Sequence, residues 1–137
     1  MPYATFLDNL LLNAAFGGAA YTPAATIYVG ISSTTPTAAG ANVTEPSTGA
    51  YARVAVTNNT TNWPTTSTGT KSNANPITLP ASTAAWLASA PLTNFLIYDS
   101  LTAGNLLAFG TLNNPQIVNS SGVTLSFAAG QLAITQS

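Results

Sequence analysis

The stretch from Asn94 to Leu112, NFLIYDSLTAGNLLAFGTL, decides the fold. Two apolar runs, Phe95 to Tyr98 and Leu106 to Leu112, flank a segment that carries Asp99, Ser100, Gly104 and Asn105. Glycine and asparagine accept positive φ, and short polar side chains bond their own backbone, so this segment is where the chain turns. Aromatic and branched residues on both sides of such a turn predict a β-hairpin with a longer loop. Phe95, Leu96, Ile97 and Tyr98 are apolar at consecutive positions, so their side chains point to both faces of a sheet. A strand of that kind is covered on both sides, either by the rest of the domain or by a partner chain.

Outward from the hairpin the chain reads as short strands separated by turn residues. Thr26 to Ser32 (TIYVGIS) alternates Ile27, Val29 and Ile31 with Tyr28, Gly30 and Ser32, the period of a half-buried strand. Ser33 to Ala50 is a Thr-, Pro- and Gly-rich loop, of a length that is usually functional or pinned to a partner. Tyr51 to Thr57 alternates again, with Ala52, Val54 and Val56 on one face and Tyr51, Arg53 and Ala55 on the other. The polar run Asn58 to Asn75 is interrupted by Trp63, which predicts a loop held down by one large anchor. Pro76 to Pro80 holds an edge strand around Ile77 and Leu79. Ser82 to Ala90 is too short to assign between a helical turn and a loop. Beyond the hairpin, Gln116 to Val118, Val123 to Phe127 and Leu132 to Ile134 complete the strands.

Residues 3 to 16 (YATFLDNLLLNAAF) place apolar side chains at three- and four-residue steps, as one face of an amphipathic helix requires. Pro2 suits the first helical position and Gly17-Gly18 the stop. This helix either covers the sheet of its own domain or anchors on a neighbouring subunit. The predicted architecture is therefore one mainly β domain across residues 1–137. It is an antiparallel β-sandwich or barrel-like unit over about 21–137, preceded by one N-terminal amphipathic helix over about 3–16.

Composition limits the function classes. Asp8, Glu45, Arg53, Lys71 and Asp99 are the only charged side chains, 4% of the chain, against about 25% in ordinary soluble domains. A chain that is 46% hydrophobic and so poorly charged is suited to docking in an assembly or to exposure outside a cell. The net charge of −1 offers no basic stripe for nucleic acid and no basic amphipathic helix for a membrane. No apolar run reaches the length of a bilayer span. The first sixteen residues lack a basic segment and contain Asp8, which does not fit a signal peptide. With no histidine and no cysteine, triads and the usual metal sites are unavailable, so the chain is expected to be no enzyme and to hold no metal or cofactor. The three carboxylates lie far apart in sequence, each where a structural role suffices.

Candidate interface residues are Tyr51, Trp63, Trp86 and Tyr98, since aromatic side chains dominate interface energetics, although they also fill small cores. Arg53 and Glu45 join them, as an ion pair within the chain or between subunits. The competing reading of Arg53 is a lone solvated arginine.

Several segments resemble a family of small tailed-bacteriophage virion structural proteins, known as tail-fibre or virion proteins. They are YATFLDNLLLNAAFGG, AYTPAATIYVGISSTTPT, GAYARVAVTNNTTNWP, TKSNANPITLP, IYDSLTAGNLLAFGTL and FAAGQLAIT, which together cover essentially the whole chain. Only the stretch around Trp86 (ASTAAWLASAPLTNF) is longer and more Ala-rich than the pattern. The resemblance implies a virion protein whose partners are other virion proteins, a major capsid protein or tail proteins, and whose own oligomer is a trimer. Two roles follow from it. The leading expectation is a decoration or cement protein that stabilises the capsid by subunit packing. The alternative is a tail-tip or tail-fibre component that contacts the host surface, with glycan binding through exposed aromatics.

Overall fold

Strand β5 (Leu92–Tyr98) runs through the middle of the molecule, and every one of its residues except Thr93 is buried. The computed structural model describes residues 3–135. β5 lies between β1 (Thr26–Ser32) and β6 (Leu106–Gln116), with β2 (Val54–Thr57) outside β1, in an antiparallel sheet of order β2-β1-β5-β6. The register sets Val29 opposite Ile97, Ile31 opposite Phe95, and Leu96 opposite Phe109. Phe95 and Ile97 face the main core with Val29, Ile31 and Trp86. Leu96 and Tyr98 face the other way, into a smaller cluster with Ala4, Leu106 and the partly buried Val43. The two-sided cover that the sequence demands is thus supplied by the chain itself.

Two small sheets complete the main core. β3 (Thr70–Ser72) pairs with β8 (Ala133–Thr135), and β4 (Ile77–Thr78) pairs with β7 (Ser126–Phe127), both antiparallel. The fold is mainly β, with no closed barrel among the described residues. β3 lies inside the polar run read as a continuous loop. Its side chains are only half-buried, so no apolar alternation marks it. β2 begins at Val54 rather than Tyr51, because the sheet stops where the Tyr51 hydroxyl takes the Ile31 amide at 3.0 Å in place of a strand carbonyl. Ser82 to Ala90 contains a left-handed 3-10 turn, Leu87–Ser89, with φ of 50°, 52° and 66°.

The helix α1 (Thr5–Ala15) matches the predicted span to within two residues at each end. Pro2 lies outside the described residues. Just before α1, Tyr3 bridges Ala108, and the Ala4 amide donates to Leu107 O at 2.8 Å. These contacts cover the outer edge of β6 over its first half, which would otherwise present unpaired backbone. The helix ends where the Phe16 amide donates to Leu12 O and Gly18 adopts φ +65°. None of its residues is fully buried: Leu7, Leu10, Leu11 and Ala14 are half-buried, and Phe6, Leu12 and the following Phe16 stay exposed, Phe16 to 86%.

Candidate functional site

The β5–β6 loop is closed by Asp99. Its carboxylate accepts the Asn105 amide at 2.7 Å and the Asn105 side-chain amide at 2.8 Å. Gly104, at φ +77°, passes so close that a β-carbon there would lie 2.5 Å from Asp99 Oδ1, so only glycine fits. The loop thereby turns the carbonyls of Ser100 and Ala103 toward Arg53, whose Nη1 donates to them at 2.9 and 2.8 Å.

Arg53 reaches in the other direction to Glu45 within the long loop after β1. Nε donates to Oε1 at 3.0 Å and Nη2 to Oε2 at 2.7 Å, a two-pronged ion pair with side chains only 8% and 18% exposed. The guanidinium carbon sits 3.5 Å from the centre of the Tyr98 ring. Tyr51 completes the cluster: its hydroxyl donates to Glu45 Oε1 at 2.7 Å and accepts from the Ile31 amide. The Tyr51 ring packs edge-on against Trp86 at 5.2 Å, and Trp86 Nε1 donates to Gly49 O at 2.9 Å. Gly30 makes room for all of this, since a β-carbon there would stand 2.7 Å from both Glu45 Oε1 and Tyr51 Oη.

Burial pushes the Tyr51 phenol well above the ordinary tyrosine range, and the Glu45 charge and hydrogen bond push it further. Burial also raises Tyr98, with Glu45 adding to it and Arg53 opposing. For Arg53, burial works against the charge, but the hydrogen bonds and charge of Glu45 outweigh it and raise the pKa. Nothing here points to a proton-transfer centre. The guanidinium donates four hydrogen bonds, both carboxylate oxygens are engaged, and the phenol is held neutral. The cluster is built to clamp the loop before β2 onto the β5–β6 loop. Beside it lies a shallow groove of about 350 Å³ bordered by Pro46, Ala52, Leu101 and Thr102.

Five of the six candidate interface residues therefore come together: Glu45, Tyr51, Arg53, Trp86 and Tyr98. Arg53 and Glu45 pair within one chain. Trp63 stands apart, buried with only 4% of its surface exposed, and its carbonyl accepts from Lys71 Nζ at 3.1 Å. Trp86 is fully buried. In this chain both indoles are core, so neither forms an exposed aromatic platform. Among the described residues no three metal-ligating side chains gather, and no helix is long and apolar enough to cross a membrane.

A feature that sequence reasoning missed is a cleft of about 420 Å³ between the far end of β6 and the Thr124–Phe127 segment. Asn94 is opposite Thr111 and Leu92 is opposite Gln116, so two steps along β5 match five along β6. The extra residues bulge outward and open the cleft, as irregular pairing at a sheet margin does. The Asn113-Asn114-Pro115 triplet was the available signal, since it cannot continue a regular ladder.

A family model described as Podophage GP4 fiber I protein gp80 matches residues 2–135. No curated protein matches the sequence.

Proposed function

The chain belongs to the podophage GP4 fiber I protein gp80 family, and from that premise we propose that it is a tail-fibre component that contacts the host surface by binding, without catalysis. A virion structural role, together with other virion proteins, goes with the family itself. The family match over residues 2–135 is the observation that carries the fibre reading, and it favours that role over capsid decoration. The absence of histidine and cysteine from the sequence, and the fully engaged Arg53–Glu45 cluster, support a role in contact rather than chemistry. The protein works as a cyclic homo-oligomer in this reading, with the exposed Phe6 and Leu12 of α1 and Phe16 just after it buried against its neighbours.

Gold-labelled antibody against the purified chain, applied to intact virions and viewed by electron microscopy, tests the proposal. Label on the tail and its appendages is the expected result. Label distributed over the head would restore the decoration role and end this one.

A further inference from the structure

We propose that the cleft between the bulged end of β6 and the Thr124–Phe127 segment binds an uncharged saccharide. The inference rests on the host-contact reading, for which it names the ligand class. It starts from the bulge: Leu112 to Pro115 leave the ladder with β5, and the cleft opens where their side chains no longer have a cross-strand neighbour. Its volume, about 420 Å³, falls in the usual range of about 300–1,000 Å³ for small-molecule sites.

The lining has a consistent chemistry. Thr111, Asn113, Asn114 and Gln116 form one wall, and Thr124 and Gln131 stand on the other. All of these are exposed. None of the five charged residues lies in the cleft. Each carboxamide offers two donors and an acceptor, and each hydroxyl offers both functions. A sugar hydroxyl also donates and accepts, so such walls match a polyol at several points at once. A carboxylate or phosphate would find no cation there. Phe95, Leu125 and Phe127 supply an apolar floor against which the C–H face of a sugar ring can rest.

Most of these side chains keep their donors and acceptors free. Gln116 Nε2 is committed to Asn114 O at 3.1 Å, and Gln131 Oε1 accepts the Ala128 amide at 2.9 Å. Among the described residues, the side chains of Thr111, Asn113, Asn114 and Thr124 make no hydrogen bond. A site of this kind binds weakly as a single copy. Repetition along a fibre would multiply the affinity without any new contact.

The test uses the full chain on an array of neutral and anionic bacterial polysaccharides, with Asn113→Ala/Asn114→Ala as the variant. Thr124→Ala on the facing wall is a second variant, in case the first does not fold, and Thr65→Ala, exposed in the loop after Trp63, is a control outside the cleft. Wild type should retain neutral polysaccharides, the double variant should lose at least about tenfold in affinity, and the control should lose nothing. Absence of binding to any neutral polysaccharide, binding confined to anionic ones, or undiminished binding by both cleft variants would overturn the proposal. Competition for phage adsorption to host cells separates the two claims. If wild type and both cleft variants block adsorption equally, host contact stands and the saccharide cleft falls. If cleft-dependent saccharide binding occurs but the wild type fails to block adsorption, the cleft stands and the host-contact reading falls.

Discussion

Replacing Arg53 by methionine keeps most of the side-chain stem and removes the charge. Glu45 is then left with the Tyr51 hydroxyl as its partner, at a position where its side chain is 18% exposed. The carbonyls of Ser100 and Ala103 lose their donor. Removing one member of a buried ion pair costs about 3–5 kcal/mol, because the remaining charge is stranded. Glu45 can recover part of its hydration at the rim, which places the expected loss near the lower limit, about 3 kcal/mol. A domain of this length has about 7–20 kcal/mol of total stability, so the loss is large. At about 3–4 °C per kcal/mol, it lowers the melting temperature by about 10 °C. Urea unfolding followed by tryptophan fluorescence suits the measurement, since Trp86 packs directly on Tyr51. Adding Glu45→Gln to the Arg53 variant should recover part of the loss, because no charge is then stranded. A loss below about 1 kcal/mol, the range of exposed ion pairs, would show that the clamp contributes little and that the reasoning is wrong.

The remaining expectations concern the same core. Gly30→Ala should destabilise by about 1–3 kcal/mol, because the new methyl displaces Glu45 and Tyr51 together; a variant as stable as wild type in urea would contradict the close approach. Stability should fall as the pH climbs above 10.0, the ordinary tyrosine value, because Tyr51 holds its proton in the folded state after the unfolded chain has lost its own. Circular dichroism melts across that range are the check, Glu45→Gln should soften the fall, and an unchanged melting temperature throughout would refute it. Ala88→Gly should stabilise by about 0.5–1 kcal/mol, since Ala88 sits at φ 52° and ψ 38°, where a β-carbon costs about 1–2 kcal/mol and glycine's own entropy cost is smaller. A destabilised glycine variant would count against the left-handed turn.

Much of the fold was legible because burial follows local periodicity. The alternation in β1 gives its span residue for residue, although Gly30 and Ser32, on the face read as open, are buried because Glu45, Tyr51 and the loop after β1 fold over them. The unbroken apolar run in β5 reports its cover on both faces. Trp63 read correctly as an anchor, since an indole in a polar run has little other reason to be there. What escaped was decided by contacts distant in sequence. β3 forms because Lys71 meets Ile134 across more than sixty residues, and nothing in TKS itself asks for a strand. The turn at Leu87–Ser89 uses left-handed backbone without a glycine, so the usual marker is missing. At the site, Arg53 and Glu45 were visible as the pair a charge-poor chain could form. Their union within one chain depends on Gly30 in the neighbouring strand, whose role appears only when the three segments are brought together. The cleft at the end of β6 depends on a mismatch in pairing: Asn113-Asn114-Pro115 marks where the ladder breaks, but which segment faces the break is set by contacts distant in sequence.

The inward pairing of Arg53 with Glu45 also governs the surface that this chain presents. Once those two cancel, Asp8, Lys71 and Asp99 are all that remains of the side-chain charge. An ion atmosphere has almost nothing to screen on such a surface, and long-range steering has almost nothing to pull on. Attachment through it would proceed at nearly the same rate in fresh water and in brine, set by diffusion and by how well the touching surfaces shed water.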